Sequence, residues 1–237
     1  MLKLIMPMAG NGSRFDELGY TVPKPMIPVN GVPMFVHSER CIGLEFDERI
    51  FIVQKAHNLR EDILEWYPDA TVVEINDLTD GTACTIMLAR EHFEEEGCSI
   101  FISNCDQHTE WNLRSMHSVI NDDKIVGAIS VFHCPEKDSK WSYAAINEEN
   151  GVLAVAEKIA ISEWATTGWY YWKNSQQFIE SVERMIDMND RVNGEFYTCP
   201  VFNYTIALLH DTYIAAIPVT SMIGIGTPED LENFLNK

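Results

Sequence analysis

Positive charge is scarce in this chain. Of its 237 residues only 17 are Lys or Arg, against 36 Asp or Glu, a formal net charge of -19. That balance works against gripping a nucleic acid backbone or an anionic membrane, both of which attract clustered cations. A free nucleotide stays compatible, because a pocket is local, so the placement of the few cations decides. Long apolar runs are missing too: none approaches the roughly 20 residues that span a bilayer. The apolar start, Met1 to Gly10, is cut short by Pro7 and Gly-Asn-Gly and has only Lys3 as a basic flank, so no secretory signal is indicated. Cys41, Cys84, Cys98, Cys105, Cys134 and Cys199 stand singly, without the C-x-x-C pairs of zinc or redox sites. They read as reduced core residues of a cytoplasmic protein.

Linkers rich in Gly, Ser or Pro, low-complexity tracts and internal repeats are also lacking. One domain over residues 1–237 is therefore expected. In its first part, β-rich apolar runs (Leu2 to Met8, Arg49 to Val53, Thr71 to Ile75, Ser99 to Ser103, Val126 to Phe132) alternate with helical patterns (Pro33 to Cys41, Asn58 to Trp66, Thr82 to Glu95, Leu113 to Ile120). Alternation of this kind builds an α/β, Rossmann-like, doubly wound sheet. After about Pro135, Tyr143 to Ile146 and Val152 to Glu157 flank Asn150-Gly151 and predict an antiparallel hairpin. Helices are expected over Ser175 to Met188, Phe196 to Leu209 and Pro228 to Leu235, the second one interrupted by Pro200.

Met6 to Phe15 follows the first strand and is a candidate phosphate loop. Gly10 and Gly12 permit a sharp turn and let backbone N–H groups approach an anion, and Arg14 adds a bidentate fork. Phe15 stands where the third glycine of a dinucleotide fingerprint belongs, and a Walker ending is absent. Lys24, between Pro23 and Pro25, is expected on a stiff extended segment that presents its ammonium to the same phosphates. Gly10-Asn-Gly-Ser-Arg-Phe15, with Lys24-Pro-Met-Ile-Pro-Val-Asn-Gly31 and Pro33-Met34, resembles the signature of the sugar-phosphate nucleotidyltransferases. The resemblance implies that Ala9, Gly10, Gly12, Ser13 and Arg14 hold a nucleoside triphosphate, and that Lys24 stabilises charge developing at the α-phosphate.

Other segments extend the likeness from Met6 to about Leu235. Asp80-Gly-Thr-Ala83 opens a helical pattern and looks like the base-contacting segment, through Gly81 and Thr82. Asp106 lies just beyond a strand's carboxyl end, where such sheets collect active residues, and is the candidate ligand for Mg²⁺. His108 is left as a solvated or structural histidine, since Mg²⁺ prefers oxygen. Glu157-Lys158, Thr167-Gly168-Trp169-Tyr170 and Asn193-Gly-Glu-Phe-Tyr197 resemble the acceptor-binding segments, through Glu157, Lys158, Gly168 and Glu195, which makes residues 1–135 the nucleotide half and 136–237 the acceptor half. Gly224-Ile-Gly-Thr-Pro-Glu-Asp-Leu231 resembles the closing motif, but Gly224 stands where many members carry a second metal-binding aspartate. Either one carboxylate and the phosphates suffice for Mg²⁺, or another residue such as Asn203 or Glu195 substitutes, or activity is reduced. The aromatic residues Trp169 to Trp172 are expected to pack the core.

The expected reaction joins a nucleoside triphosphate to a sugar 1-phosphate, releasing pyrophosphate and giving a nucleotide sugar for cell-surface polysaccharide, with a homo-oligomer left open. Three alternatives stand beside it. One is a cytidylyltransferase for phosphocholine or another phosphorylated alcohol or amide. The second is a nucleotide-sugar-dependent glycosyltransferase, for which Asn104-Cys-Asp106 offers a faint metal motif and against which the Arg14 and Lys24 loops argue, since such enzymes need no triphosphate cradle at the first strand. A nucleotide sensor without turnover is the third.

Overall fold

A computed structural model of the chain describes residues 1–236. β1 (Leu2–Pro7) lies at the centre because both of its faces are apolar: Ile5 points into one layer of helices, Leu4 and Met6 into the other. A strand covered on both sides needs such a continuous run. The short helix α1 (Ser13–Asp16), the ribbon β2 (Pro28–Val29) and β3 (Val32–Pro33), and helix α2 (Met34–Ile42) follow. β4 (Glu48–Gln54) and β5 (Thr71–Ile75), joined through α3 (Arg60–Trp66), extend the sheet in parallel on one side of β1. Through α4 (Thr82–Met87) the chain reaches β6 (Ser99–Ser103), parallel to β1 on its other side. β7 (Gln107–Glu110), α5 (Leu113–Asn121), β8 (Ile125–His133), β9 (Ser142–Ile146) and β10 (Val152–Glu157) come next. The chain closes with β11 (Trp164–Trp172), α6 (Ser175–Asp187), α7 (Val201–Ile206), β12 (Tyr213–Pro218), β13 (Ser221–Gly224) and α8 (Pro228–Leu235).

Among the described residues the main sheet has nine strands, in the order β10-β9-β11-β6-β1-β4-β5, with β8 and β12 continuing from β11. α4, α6 and α7 cover one face, and α2, α3 and α5 the other. This is the doubly wound α/β sheet with an antiparallel addition that the sequence predicted. β11 from the later part of the chain pairs with both β6 and β8 from the earlier part, so the two halves share one sheet. Its partners change midway. Ala165 pairs with Tyr143 of β9, whereas Trp169 to Trp172 pair with β6, and the register slips between Thr166 and Tyr170. β9 and β6 diverge there, which opens a crevice at Thr167 and Gly168. Among the described residues, no helix is long and apolar enough to cross a membrane.

Several expectations need correction. The structure adds β2, β3, β7, β11, β12 and β13 to the expected strands: β2 and β3 have two residues each, β7 and β13 have four, and the buried Trp-Tyr-Tyr-Trp of β11 lacks polar alternation. The helix expected from Phe196 to Leu209 is confined to Val201–Ile206. The residues before Pro200 are drawn elsewhere: Phe196 donates its N–H to the Asp80 carbonyl at 2.7 Å, and the Thr198 N–H reaches Thr82 Oγ1 at 3.2 Å. α4 stops at Met87, not Glu95, and a separate 3₁₀ turn spans Arg90–His92. All six cysteines are free, but Cys41 and Cys84 are only half-buried. The aromatic expectation holds: Trp169, Tyr171 and Trp172 are buried, and the Trp172 and Phe202 rings stack with centroids 3.9 Å apart.

Candidate active site

A cavity of about 330 Å³ opens between the segment after β6, the ends of β9 and β10, the bulge of β11 and β13. Arg14, Lys24, Lys140 and Lys158 line it, four of only 17 basic residues in a strongly acidic chain. Local folding explains how the first two arrive. Gly12 adopts the left-handed region at φ 66°, capping α1, and a Cβ there would sit 3.1 Å from Lys24 Cβ. Glycine therefore lets the loop and the lysine segment touch. Phe15, in the place of a third glycine, is a buried anchor against Ile27, Val29, Met34, Ile225 and Leu231, so it holds α1 against the later motif. Lys24 does not lie on an extended segment as expected: residues Lys24–Met26 form a 3₁₀ turn. Proline's fixed φ suits the opening of such a turn, and the Pro23 carbonyl accepts from the Met26 N–H at 2.8 Å.

Asp106, three residues beyond β6, forms an ion pair with Lys24 through its Oδ2. Two residues of the closing motif, Gly226 and Ile225, shape this contact. A Cβ on Gly226 would collide with Asp106, and the Ile225 N–H donates to the Asp106 carbonyl at 2.9 Å. Burial opposes the charge on Lys24, but the neighbouring Asp106 outweighs it and holds the ammonium's pKa above its ordinary value. The lysine is fully cationic wherever a nucleotide would bind.

The opposite wall carries Glu157, Lys158, Gly168 and Tyr197. Glu157 is buried at the end of β10 and accepts from Ser142 Oγ. Burial pushes its carboxyl above the ordinary value, against the opposing pull of Ser142 and Lys158. Lys158 has φ 58°, rare for a side chain of its size, and this turn directs Nζ onto the Tyr197 hydroxyl at 2.6 Å. Gly168, at φ 93°, leaves no room for a side chain, since a Cβ would run into the Asn104 amide. Trp141 takes the space beside Gly224: a Cβ on that glycine would be 3.0 Å from the indole edge. A larger side chain at position 224 would therefore crowd that ring unless the indole shifted.

Of the residues expected from sequence, the structure brings Arg14, Lys24, Thr82, Asp106, Glu157, Lys158 and Gly168 into this one cavity. Ala9, Gly10, Gly12, Ser13, Gly81 and Glu195 are not part of its lining. Gly81 packs instead on Phe196, whose backbone a Cβ would strike, and Ala9 gives its carbonyl to Gln54 Nε2 at 2.7 Å. Asn203 cannot replace a second metal carboxylate, because its amide is spent on both backbone groups of Val155, at 2.9 Å each. Lys140 and Ser142 are wall residues outside every expected segment, while Tyr197 and Asp230 come from the Asn193 to Tyr197 and Gly224 to Leu231 segments. Thr227 caps α8, its Oγ1 accepting from the Asp230 N–H at 3.2 Å and donating to the Asp230 carboxylate at 2.7 Å, and Lys140 Nζ lies 3.9 Å from the other carboxylate oxygen. Lys140 carried no motif signal. Asp230 was visible only as part of the closing motif.

A doubly wound sheet with cations and a carboxylate gathered at its carboxyl edge defines a nucleotide-handling class of protein. The chain belongs to the nucleotidyl transferase family, whose model matches residues 3–198. It is 25% identical over 154 residues to the bifunctional protein GlmU of Methanococcus aeolicus, covering 63% of this chain and 34% of that protein. With GlmU of Methanocaldococcus jannaschii it shares 25% identity over 154 residues, 65% of this chain and 35% of the other. The chain thus spans about a third of the length of these curated relatives. A solved nucleoside-diphosphate-sugar pyrophosphorylase from Vibrio cholerae RC9 superimposes with a TM-score of 0.83 at 25% identity, over 99% of this chain and 100% of that one. The inositol-1-phosphate CTP transferase of T. maritima shares the fold, with a TM-score of 0.75 at 16% identity over 96% and 90% of the two chains.

Proposed function

We propose that the protein condenses a nucleoside triphosphate with a sugar 1-phosphate, releasing pyrophosphate and forming a nucleotide sugar, a precursor of the kind used for cell-surface polysaccharide. The observation that carries this reading is that four cations, Arg14, Lys24, Lys140 and Lys158, line one cavity together with Asp106. Two phosphorylated substrates need more than one such cation. An oxygen of the acceptor phosphate attacks the α-phosphorus in line, the bond to the β-phosphate oxygen breaks, and pyrophosphate departs with that bond's electrons. No covalent protein nucleophile is required.

Arg14 clamps the triphosphate and Lys24 neutralises charge growing at the α-phosphate. Lys158, steadied by Tyr197, receives the acceptor phosphate, and Glu157 takes a hydroxyl of the acceptor. Asp106 would hold Mg²⁺. Its Oδ1 is not engaged among the described residues, and one carboxylate plus substrate phosphates is a donor set this ion accepts. When bound, the ion supplies charge neutralisation on the triphosphate.

A matrix of four triphosphates against sugar 1-phosphates, phosphocholine and other phosphorylated alcohols or amides, read as phosphate after pyrophosphatase, tests the proposal. Pyrophosphate release with one triphosphate and a sugar 1-phosphate is expected. Release only with a non-sugar acceptor would replace the substrate, and transfer of sugar from a nucleotide sugar, or nucleotide binding without turnover, would replace the reaction.

A further inference from the structure

Beyond the cavity, where β7 packs against α2, three side chains meet that the reaction above does not use. His37 and Cys41 stand one turn apart on α2 and share a face, and His108 reaches them from β7. His37 Nε2 lies 3.1 Å from His108 Nδ1, and Cys41 Sγ lies 3.5 Å from that same nitrogen. One ligand atom from each residue falls within 4.8 Å of the others. Tetrahedral zinc, with nitrogen at about 2.0–2.1 Å and sulfur at about 2.3 Å, places neighbouring ligand atoms about 3.3–3.6 Å apart. The three donors therefore need only small side-chain rotations to enclose an ion.

We infer that His37, Cys41 and His108 form a binding site for a thiophilic divalent cation of the zinc class, distinct from the Mg²⁺ position at Asp106. Two imidazoles and a thiolate are the wrong donors for magnesium and the right ones for zinc. The surroundings suit an ion as well as the ligands do. Burial pushes the Cys41 thiol's pKa up and the Thr109 backbone N–H pulls it the other way, so a bound ion would have to displace the thiol proton. Glu110 Oε1 lies 3.7 Å from His108 Nε2, the outer carboxylate that commonly orients a metal-bound histidine. The Phe234 ring shields one side, its centroid 5.5 Å from that of His37 and 4.9 Å from that of His108. Arg40, the nearby cation, lies over the Trp66 ring at 5.4 Å. All three ligand residues are half-buried, which leaves an entry path and a fourth position for water. A bound ion would tie α2 to the strand that begins next to Asp106.

The experiment uses the full chain, stripped with a chelator and kept in saturating Mg²⁺ so that hard-ion positions are filled. Calorimetric titration with Zn²⁺ should show one equivalent bound below micromolar. Cys41→Ser and His37→Ala should each weaken it at least about 100-fold. Co²⁺ in place of zinc should give a thiolate charge-transfer band that Cys41→Ser abolishes. Thermal unfolding of the metal-free variants separates lost ligands from lost fold, and if His37→Ala fails to fold, the Cys41→Ser arm decides. Absence of saturable binding, unchanged affinity in the folded variants, or cobalt binding without the thiolate band would overturn the site. Asp106→Asn should retain zinc affinity even if it abolishes turnover, so this site and the proposed reaction stand or fall separately.

Discussion

Replacing Lys24 by Met removes an ammonium and keeps most of the side chain's volume, so its consequences can be divided between folding and chemistry. The Lys24 and Asp106 side chains are 22% and 26% exposed, between a surface pair and a buried one. Breaking the pair should accordingly lower stability by about 1–2 kcal/mol, above the surface value and below the roughly 3–5 kcal/mol of a fully buried pair. Because Asp106 holds the Lys24 pKa above its ordinary 10.5, the pair's stabilisation is complete below that value and fades only as the pH rises through the elevated one. An assay near pH 7 therefore reads the whole effect. Loss of one charge-stabilising donor at the reacting phosphate should reduce turnover about 10²–10³-fold, or about 2.7–4 kcal/mol. Pyrophosphate release at saturating substrates, with thermal unfolding measured on the same samples, separates the two quantities. Turnover within about threefold of the parent in a folded variant would refute the role of Lys24. So would a loss fully explained by unfolding at the assay temperature.

Two further outcomes follow from the geometry. Gly81→Ala forces a Cβ into the Phe196 backbone from a φ of 127°, and should lower unfolding free energy by roughly 2–4 kcal/mol, read by urea denaturation. An unchanged midpoint would show that the Phe196 contact gives way easily. Glu157 has a raised pKa through burial, so the folded state holds its proton more tightly than the unfolded one, and stability falls as the pH rises from the ordinary 4.5 through the elevated value. Glu157→Gln should flatten that part of the stability profile and raise the Michaelis constant for the acceptor. An unaltered slope would mean that the carboxyl is well solvated.

The sequence by itself determined the doubly wound sheet and singled out Arg14, Lys24 and Asp106, which the fold brings into one cavity. Apolar runs with buried periodicity specify parallel strands regardless of what they later touch, and a loop such as Gly10 to Arg14 carries its conformation in its own glycines. Lys24, Asp106 and Glu157 were legible because each sits at a fixed offset from a strand end or a proline. Only the tertiary structure decided how β11 switches partners and so opens the crevice at Gly168, since pairing energy comes from strands distant in the chain. It also decided that Trp141 fills the space beside Gly224, that Asn203 is spent on β10, and that Lys140 reaches the cavity. Cys41 and His108 illustrate the same division. Read singly, one looked like core and the other like a solvated histidine. They meet because β7 is laid along α2, and a contact 67 residues apart leaves no local pattern to read.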